Sequence, residues 1–383
     1  KLISGTGTIQ VSAGGNSDGS FTTTSTTAGV AEIDTSGDVL LEAGKNIGTD
    51  TNRIELANVS TIAGRTLAGG LSAAESAIYL RKLGTSNDIT VGSVHFVTGG
   101  GPITGLTTGA NNAPITLTTQ GGNLIVTQNV QADGNGNIDL RTASGQSGSI
   151  QINGGQIRSG ASGTGTGTIQ LVSGNAISTT DTTDVDEIAT AGAVLVKADG
   201  AIGTSSNRIE LAGNLTLSTI SSDAQWIRQT SGDLLVRTVS SIADTLDNAV
   251  SGDFSGLKTT DNDGSITLTT DAGNLTIAQV VEAHGSGDID LRTADSGDIT
   301  IDNDGSGDAG QLVANDATST VQLIAGGAIT TTSSNDSVNE IESPGLVRLE
   351  AGDEIGSTTN RIELDNVITV AAEAGEGGLW LRG

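Results

Sequence analysis

The chain has 383 residues, 56 of them glycine and only 3 proline, with hydrophobic residues at 35% and aromatic residues at 2%. That is too much patterned aliphatic surface for disorder, and too few large rings for the wide core of an ordinary globular enzyme. The 44 acidic against 17 basic residues leave a formal charge of −27, which opposes binding to phosphate backbones or anionic lipid and argues against nucleic acid as a partner.

Cysteine is absent, so neither disulfides nor thiolate metal sites are available. No apolar run reaches about 18 residues, so no transmembrane segment is expected. The composition calls for a thin, long core of branched aliphatics with frequent polar turns. Lys1 already lies in a strand-like pattern and Gly383 follows another, so the chain reads as a segment of a longer protein.

Residues 4–15, SGTGTIQVSAGG, set the local pattern: a glycine-rich turn, then Ile9 and Val11 at alternate positions. Alternation of this kind is a half-buried strand. Residues 47–56 read IGTDTNRIEL, and the phrase returns as IGTSSNRIEL at 202–211 and IGSTTNRIEL at 355–364, with arginines at 53, 208 and 361, so 155 and 153 residues apart. The stretch 68–83, AGGLSAAESAIYLRKL, is the one place where a helix could be read, but its counterparts at 222–230 and 375–383 do not support one.

Further along, ITLTT at 115–119 matches 266–270, GNLIV at 122–126 matches GNLTI at 273–277, and GNIDLRTA at 136–143 matches GDIDLRTA at 287–294. The opening phrase itself returns at 165–174 and 319–327. A long unit is therefore written about two and a half times, and the chain divides into 1–168, 169–320 and a partial 321–383 within one continuous solenoid. The irregular strand spacing and lack of rings disfavour propellers and immunoglobulin-like sandwiches. The expected fold is all-β: a right-handed parallel β-helix, or β-solenoid, forming an elongated rod. With about 20 residues per coil it would hold roughly 19 coils over a length on the order of 90 Å.

The phrases GDVLLEAGKNIGT (37–49), GAVLVKADGAIGT (192–204) and GLVRLEAGDEIGS (345–357) resemble the strand-turn phrases of the filamentous haemagglutinin family of large bacterial exoproteins and adhesins. So do GNLTIAQVVEAHGSGDIDL and its partner copy. The resemblance implies a right-handed parallel β-helix secreted across an outer membrane, with adhesive or matrix roles. The long unit departs from that family's usual shorter repeats.

Three sets of residues are candidates for a role. In the NRIEL phrase, Ile54 and Leu56 should face inward, and Arg53 and Glu55, Arg208 and Glu210, and Arg361 and Glu363 outward as same-face ion pairs, with Asn52, Asn207 and Asn360 shaping the preceding turns. This set reads as a structural repeat mark. The rare rings fall at matching places, each two residues before an arginine: Tyr79 and Arg81, Trp226 and Arg228, Trp380 and Arg382. Such a ring either covers an irregular loop or, stacked on its guanidinium, anchors a neighbouring chain or a glycan.

Asp261 and Asp263, and Asp302, Asp304 and Asp308, resemble fragments of calcium loops, although neither group completes one and turn formation is the simpler reading. His95 and His284 stand at unmatched places, and no zinc or nucleophile motif is present. Acidic pairs are too widespread to single out a glycosidase site. No catalytic residue and no cofactor, calcium aside, is therefore assigned. The reading is a non-enzymatic extracellular or bacterial cell-surface β-solenoid segment of a fibre, sheath or adhesive stalk. Its expected partners are further copies or a continuation of itself. The alternatives are an adhesin that contacts host or neighbour-cell glycans or proteins through the ring-arginine sites and, from another class, a carbohydrate-active β-helix enzyme.

Overall fold

The computed structural model describes residues 1–14, 19–24, 29–67, 76–85, 87–97, 100–109, 112–143, 148–181, 185–244, 252–261, 263–303, 309–334 and 338–383. It forms two compact units, one of Lys1–Ala193 with Ser241–Gly252 and one of Val194–Ser240 with Asp253–Gly383. No α-helix occurs among the described residues. The strand Ile78–Leu83 occupies the end of the helix-like stretch, whose residues 68–75 lie outside the described residues.

In the first unit a coil is built from one longer and two short strands. Ile115–Thr119, Leu124–Val126 and Val130–Ala132 make one coil. Ile138–Thr142, Ile150–Ile152 and Ile157–Ser159 make the next, followed by Ile169–Ser173, Ile177–Thr179 and Ile188–Ala189. Each strand pairs in parallel with its equivalent one coil on, so that Leu117, Leu140 and Leu171 align, as do Leu124, Ile150 and Ile177, and Val130, Ile157 and Ile188. All nine side chains are fully buried. Alternation puts one aliphatic of every pair inward, and stacking turns those positions into continuous ladders; this is a parallel β-helix core.

The second unit repeats the design. Ile266, Ile289, Val321, Val347 and Val370 align along its longer strands, and Leu275, Ile299 and Ile329 along a set of short ones. Coils advance by 23 residues from Ile266 to Ile289 but by 32 from Ile289 to Val321, longer than the average of about 20 read from the sequence. The strands keep their length and the turns absorb the difference.

Those turns explain where many of the acidic residues go. Asp233 accepts the Asn274 main-chain N–H at 2.8 Å, Asn274 accepts that of Asp298 at 2.9 Å, and Asp298 accepts that of Ala328 at 2.8 Å. In the first unit Asp88, Asn123 and Ser149 make the same kind of ladder. Short polar side chains at a turn satisfy the main-chain donor one coil away, which is why Asp and Asn recur there.

Each unit also contains a short antiparallel pair, Ser93–Val94 with Ile103–Thr104 in the first and Val239–Ser240 with Asp253–Phe254 in the second. In the first unit Val94 and Ile103 pack on Leu40 and Ala63, with Phe96 against them.

Candidate functional site: a repeated arginine and glutamate face

The NRIEL phrase and the ring-arginine phrase are two halves of one element. Ile47 bridges Ile78 and Ile54 pairs with Leu80, so one chain advances seven residues while the other advances two. Residues 48–53 therefore loop out opposite Tyr79. The same offset recurs at Ile202 and Ile209 opposite Gln225 and Ile227, and at Ile355 and Ile362 opposite Leu379 and Leu381.

The loop closes identically each time. The main-chain N–H of Asn52 donates to the Thr49 hydroxyl at 3.0 Å, that of Asn207 to Thr204 at 3.0 Å, and that of Asn360 to Ser357 at 2.9 Å. Gly48, Gly203 and Gly356 sit at φ of 73°, 67° and 69°. A Cβ on any of them would lie 2.4 to 2.5 Å from the carbonyl oxygen of Tyr79, Trp226 or Trp380. Only glycine fits both the left-handed backbone and that close approach.

The ion pairs differ from the expected same-strand arrangement. Glu55 faces Arg81 at 3.3 Å, Glu210 faces Arg228 at 2.8 Å, and Glu363 faces Arg382 at 3.7 Å. Each glutamate of the repeat mark thus pairs with the arginine of the ring phrase, its register partner on the adjacent strand. Adjacent parallel strands lie about 4.8 Å apart, whereas positions two apart on one strand lie about 6.6 Å apart, so the cross-strand partner is nearer. Arg53 and Arg208 also precede their strands, which begin at Ile54 and Ile209.

Arg53 is directed elsewhere. Its guanidinium donates to the Thr118 hydroxyl at 3.1 Å and to the carboxylate of Asp244 at 2.6 Å. Their side chains are 1% and 0% exposed, so this is an interior pair and not the surface feature expected. Asp244 belongs to the Ser241–Gly252 segment of the first unit. Its residues Ser241–Asp244 lie along the outward face of the longer strands: Ile242 donates its N–H to Gln170 at 2.8 Å and accepts from Arg141 at 2.7 Å. Arg141 grips Asp139 at 2.8 Å, and Gln170 donates to the same Asp139 oxygen at 2.9 Å. Burial pushes the Asp139 carboxyl above its ordinary range, opposed by the hydrogen bond and charge of Arg141.

The second unit repeats three of these contacts, and there Gln322 also accepts from Arg348 at 3.4 Å and Arg228 pairs with Asp271 at 2.6 Å. Arg208 donates to Thr269 at 2.8 Å, Arg292 to Asp290 at 2.7 Å, and Gln322 to Asp290 at 3.1 Å. Here the face is open: the Arg292 side chain is 46% exposed, where Arg141 is 4%. Arg208, Arg228, Thr269, Asp271 and Arg292 line a recess of about 440 Å³.

The rings are half-buried in all three copies. Tyr79 lines a recess of about 180 Å³ with Asp50, Arg53, Asp139 and Ile242. Burial raises the Tyr79 phenol above its ordinary value, and the charge of Asp50 adds to that.

Of the calcium-like residues, Asp304 and Asp308 lie outside the described residues. Asp263 is left-handed at φ 51° and accepts the Ser286 N–H at 2.9 Å, Asp302 accepts the Thr332 hydroxyl at 2.7 Å, and Asp261 closes a turn to Gly264. Among the described residues no three acidic or histidine side chains gather as a metal group would require. No described helix is long and apolar enough to cross a membrane.

Sequence reasoning did not single out Thr118, Asp139, Arg141, Gln170 or Asp244 for this face. The first four had a signal in the recurring ITLTT, DLRTA and TIQL phrases; Asp244 had none, because the corresponding stretch of the first copy, residues 95–102 between its own antiparallel pair, is shorter and holds no aspartate. Comparison with known protein families, with curated proteins and with solved structures returned no match.

Proposed function

We propose that the chain is an extracellular structural segment of a bacterial surface fibre, sheath or adhesive stalk, akin to the filamentous haemagglutinin family, and that it has no catalytic role. The observation that carries this reading is the threefold recurrence of one element, with the same loop closure, the same glycine approach and the same glutamate–arginine pair. A reaction needs one constellation in one place, whereas a structural module needs the same joint at every repeat. Stacked coils satisfy their main-chain hydrogen bonds along the stack, and the negative surface opposes sideways association.

Electron microscopy of native material released from the producing cell tests the proposal. Ordered fibres with a constant axial period are expected. Dispersed particles that bind a glycan array would favour an adhesin, and cleavage of a saccharide would overturn the structural reading.

A further inference from the structure

The two units share one polar network, and in the first unit that network holds an occupant. Arg53 and Arg141 bracket the Asp244 carboxylate at 2.6 and 3.8 Å, and Gln170 and Arg141 hold the Ile242 main chain at its N–H and its carbonyl. Gln10, which stands in the opening phrase where Gln170 stands in its repeat, is used the same way: it accepts the main-chain N–H of Val97 at 3.0 Å. A glutamine at this register position is thus a socket for a crossing segment in both places.

Gln322 is the third copy of that glutamine, and beside it Arg208, Thr269, Asp290 and Arg292 repeat Arg53, Thr118, Asp139 and Arg141. Arg208 and Arg292, the counterparts of the two arginines that bracket Asp244, both line this recess, together with Arg228 and Asp271. Arg228 is paired with Glu210 and Asp271, and Arg292 with Asp290, so the group this recess offers an anion is Arg208, which donates to the Thr269 hydroxyl, on a chain whose formal charge of −27 otherwise repels anions.

We propose that this open face of the second unit is a docking site for an extended acidic peptide segment of the kind seated in the first unit. The segment carries an apolar residue two positions before an aspartate. The aspartate carboxylate takes the seat between Arg208 and Arg292, and the main chain of the apolar residue meets Gln322 and Arg292. Specificity over a simple anion comes from that second, main-chain contact, because a free carboxylate has no main-chain N–H to donate to the glutamine oxygen, as Ile242 does to Gln170. The inference does not depend on whether the native material forms fibres.

The test uses the intact chain and a synthetic peptide of residues 240–247, SSIADTLD, titrated by calorimetry at low salt. Saturable binding at one peptide per chain is expected. The Asp244→Asn version of the peptide should bind at least about tenfold more weakly, since a charge-assisted pair is lost. Arg208→Gln in the chain should abolish binding while circular dichroism shows the strands retained. Absence of binding to the unaltered chain overturns the proposal. So does equal affinity for the Asp244→Asn peptide, a readout that does not rely on any variant of the chain folding. Displacement of the peptide by acetate or inorganic phosphate at equal concentration would reduce the face to a simple anion site and overturn it as well.

Discussion

The Glu55 carboxylate and the Arg81 guanidinium meet at 3.3 Å across two adjacent parallel strands, and they come from two sequence phrases 26 residues apart. The same pairing joins Glu210 to Arg228 and Glu363 to Arg382. The repeat mark and the ring phrase are therefore one joint read twice by the chain. The three copies differ mainly in exposure: Arg81 is 10% exposed at its side chain, Arg228 32% and Arg382 42%.

That gradient sets the energetics. Removing one partner of the buried Glu55–Arg81 pair, as in Glu55→Ala, breaks an interior ion pair and should cost about 3–5 kcal/mol. The Glu363–Arg382 pair, whose arginine is open to solvent and 3.7 Å from the carboxylate, should be worth less than about 1 kcal/mol. Double-mutant cycles by urea unfolding measure both couplings. Equal couplings at the two sites would contradict the assignment of the first as an interior pair.

Gly203 makes a second, independent test of the joint. Gly203→Ala forces a side chain into a left-handed backbone and against the Trp226 carbonyl oxygen at 2.5 Å. The backbone conformation alone costs about 1–2 kcal/mol, and the fixed main-chain contact adds to it. Gly84 has φ 91° with open space around it, so Gly84→Ala should show the backbone cost alone. The urea midpoint should fall further for the first substitution than for the second; equal shifts would mean the close approach carries no weight.

Glu340 predicts a pH dependence. Its two oxygens accept the Thr331 hydroxyl at 3.0 Å and the Glu363 N–H at 2.7 Å, yet burial holds its carboxyl above the ordinary 4.5. The folded state then binds the proton more tightly than the unfolded chain does. Its contribution is present below about pH 4.5 and is lost as pH rises through the raised folded value. Glu340→Gln copies the neutral form, with its amide donating to Thr331 and its oxygen accepting from Glu363. The variant should lose stability less steeply than the parent as pH rises from 4.5. Repulsion from the rest of the chain is common to both, so parallel curves would contradict the assignment.

The coil core was legible because Ile115 and Leu117, like Ile266 and Leu268, announce which face is inward by simple alternation. The long unit was legible because the phrases recur in order. The register between coils was not: nothing local says that Glu55 will stand beside Arg81, since the number of residues per coil varies with the turns. Arg53 and Asp244 are 191 residues apart, and no repeat flags the second of them. An isolated aspartate in an acidic chain carries no signal until the fold places it between two buried arginines.

The most direct test of interchangeable joints is the removal of one whole unit. Deleting residues 54–208 joins Arg53 to Ile209 and leaves two NRIEL phrases, one at the junction and one at 360–364, with Gly48 opposite Trp226 and Glu210 opposite Arg228. Circular dichroism and urea unfolding of this shortened chain should show the parent's strand signal per residue and a cooperative transition. Loss of the strand signal, or a chain that unfolds without cooperativity, would contradict the claim that one joint serves every repeat.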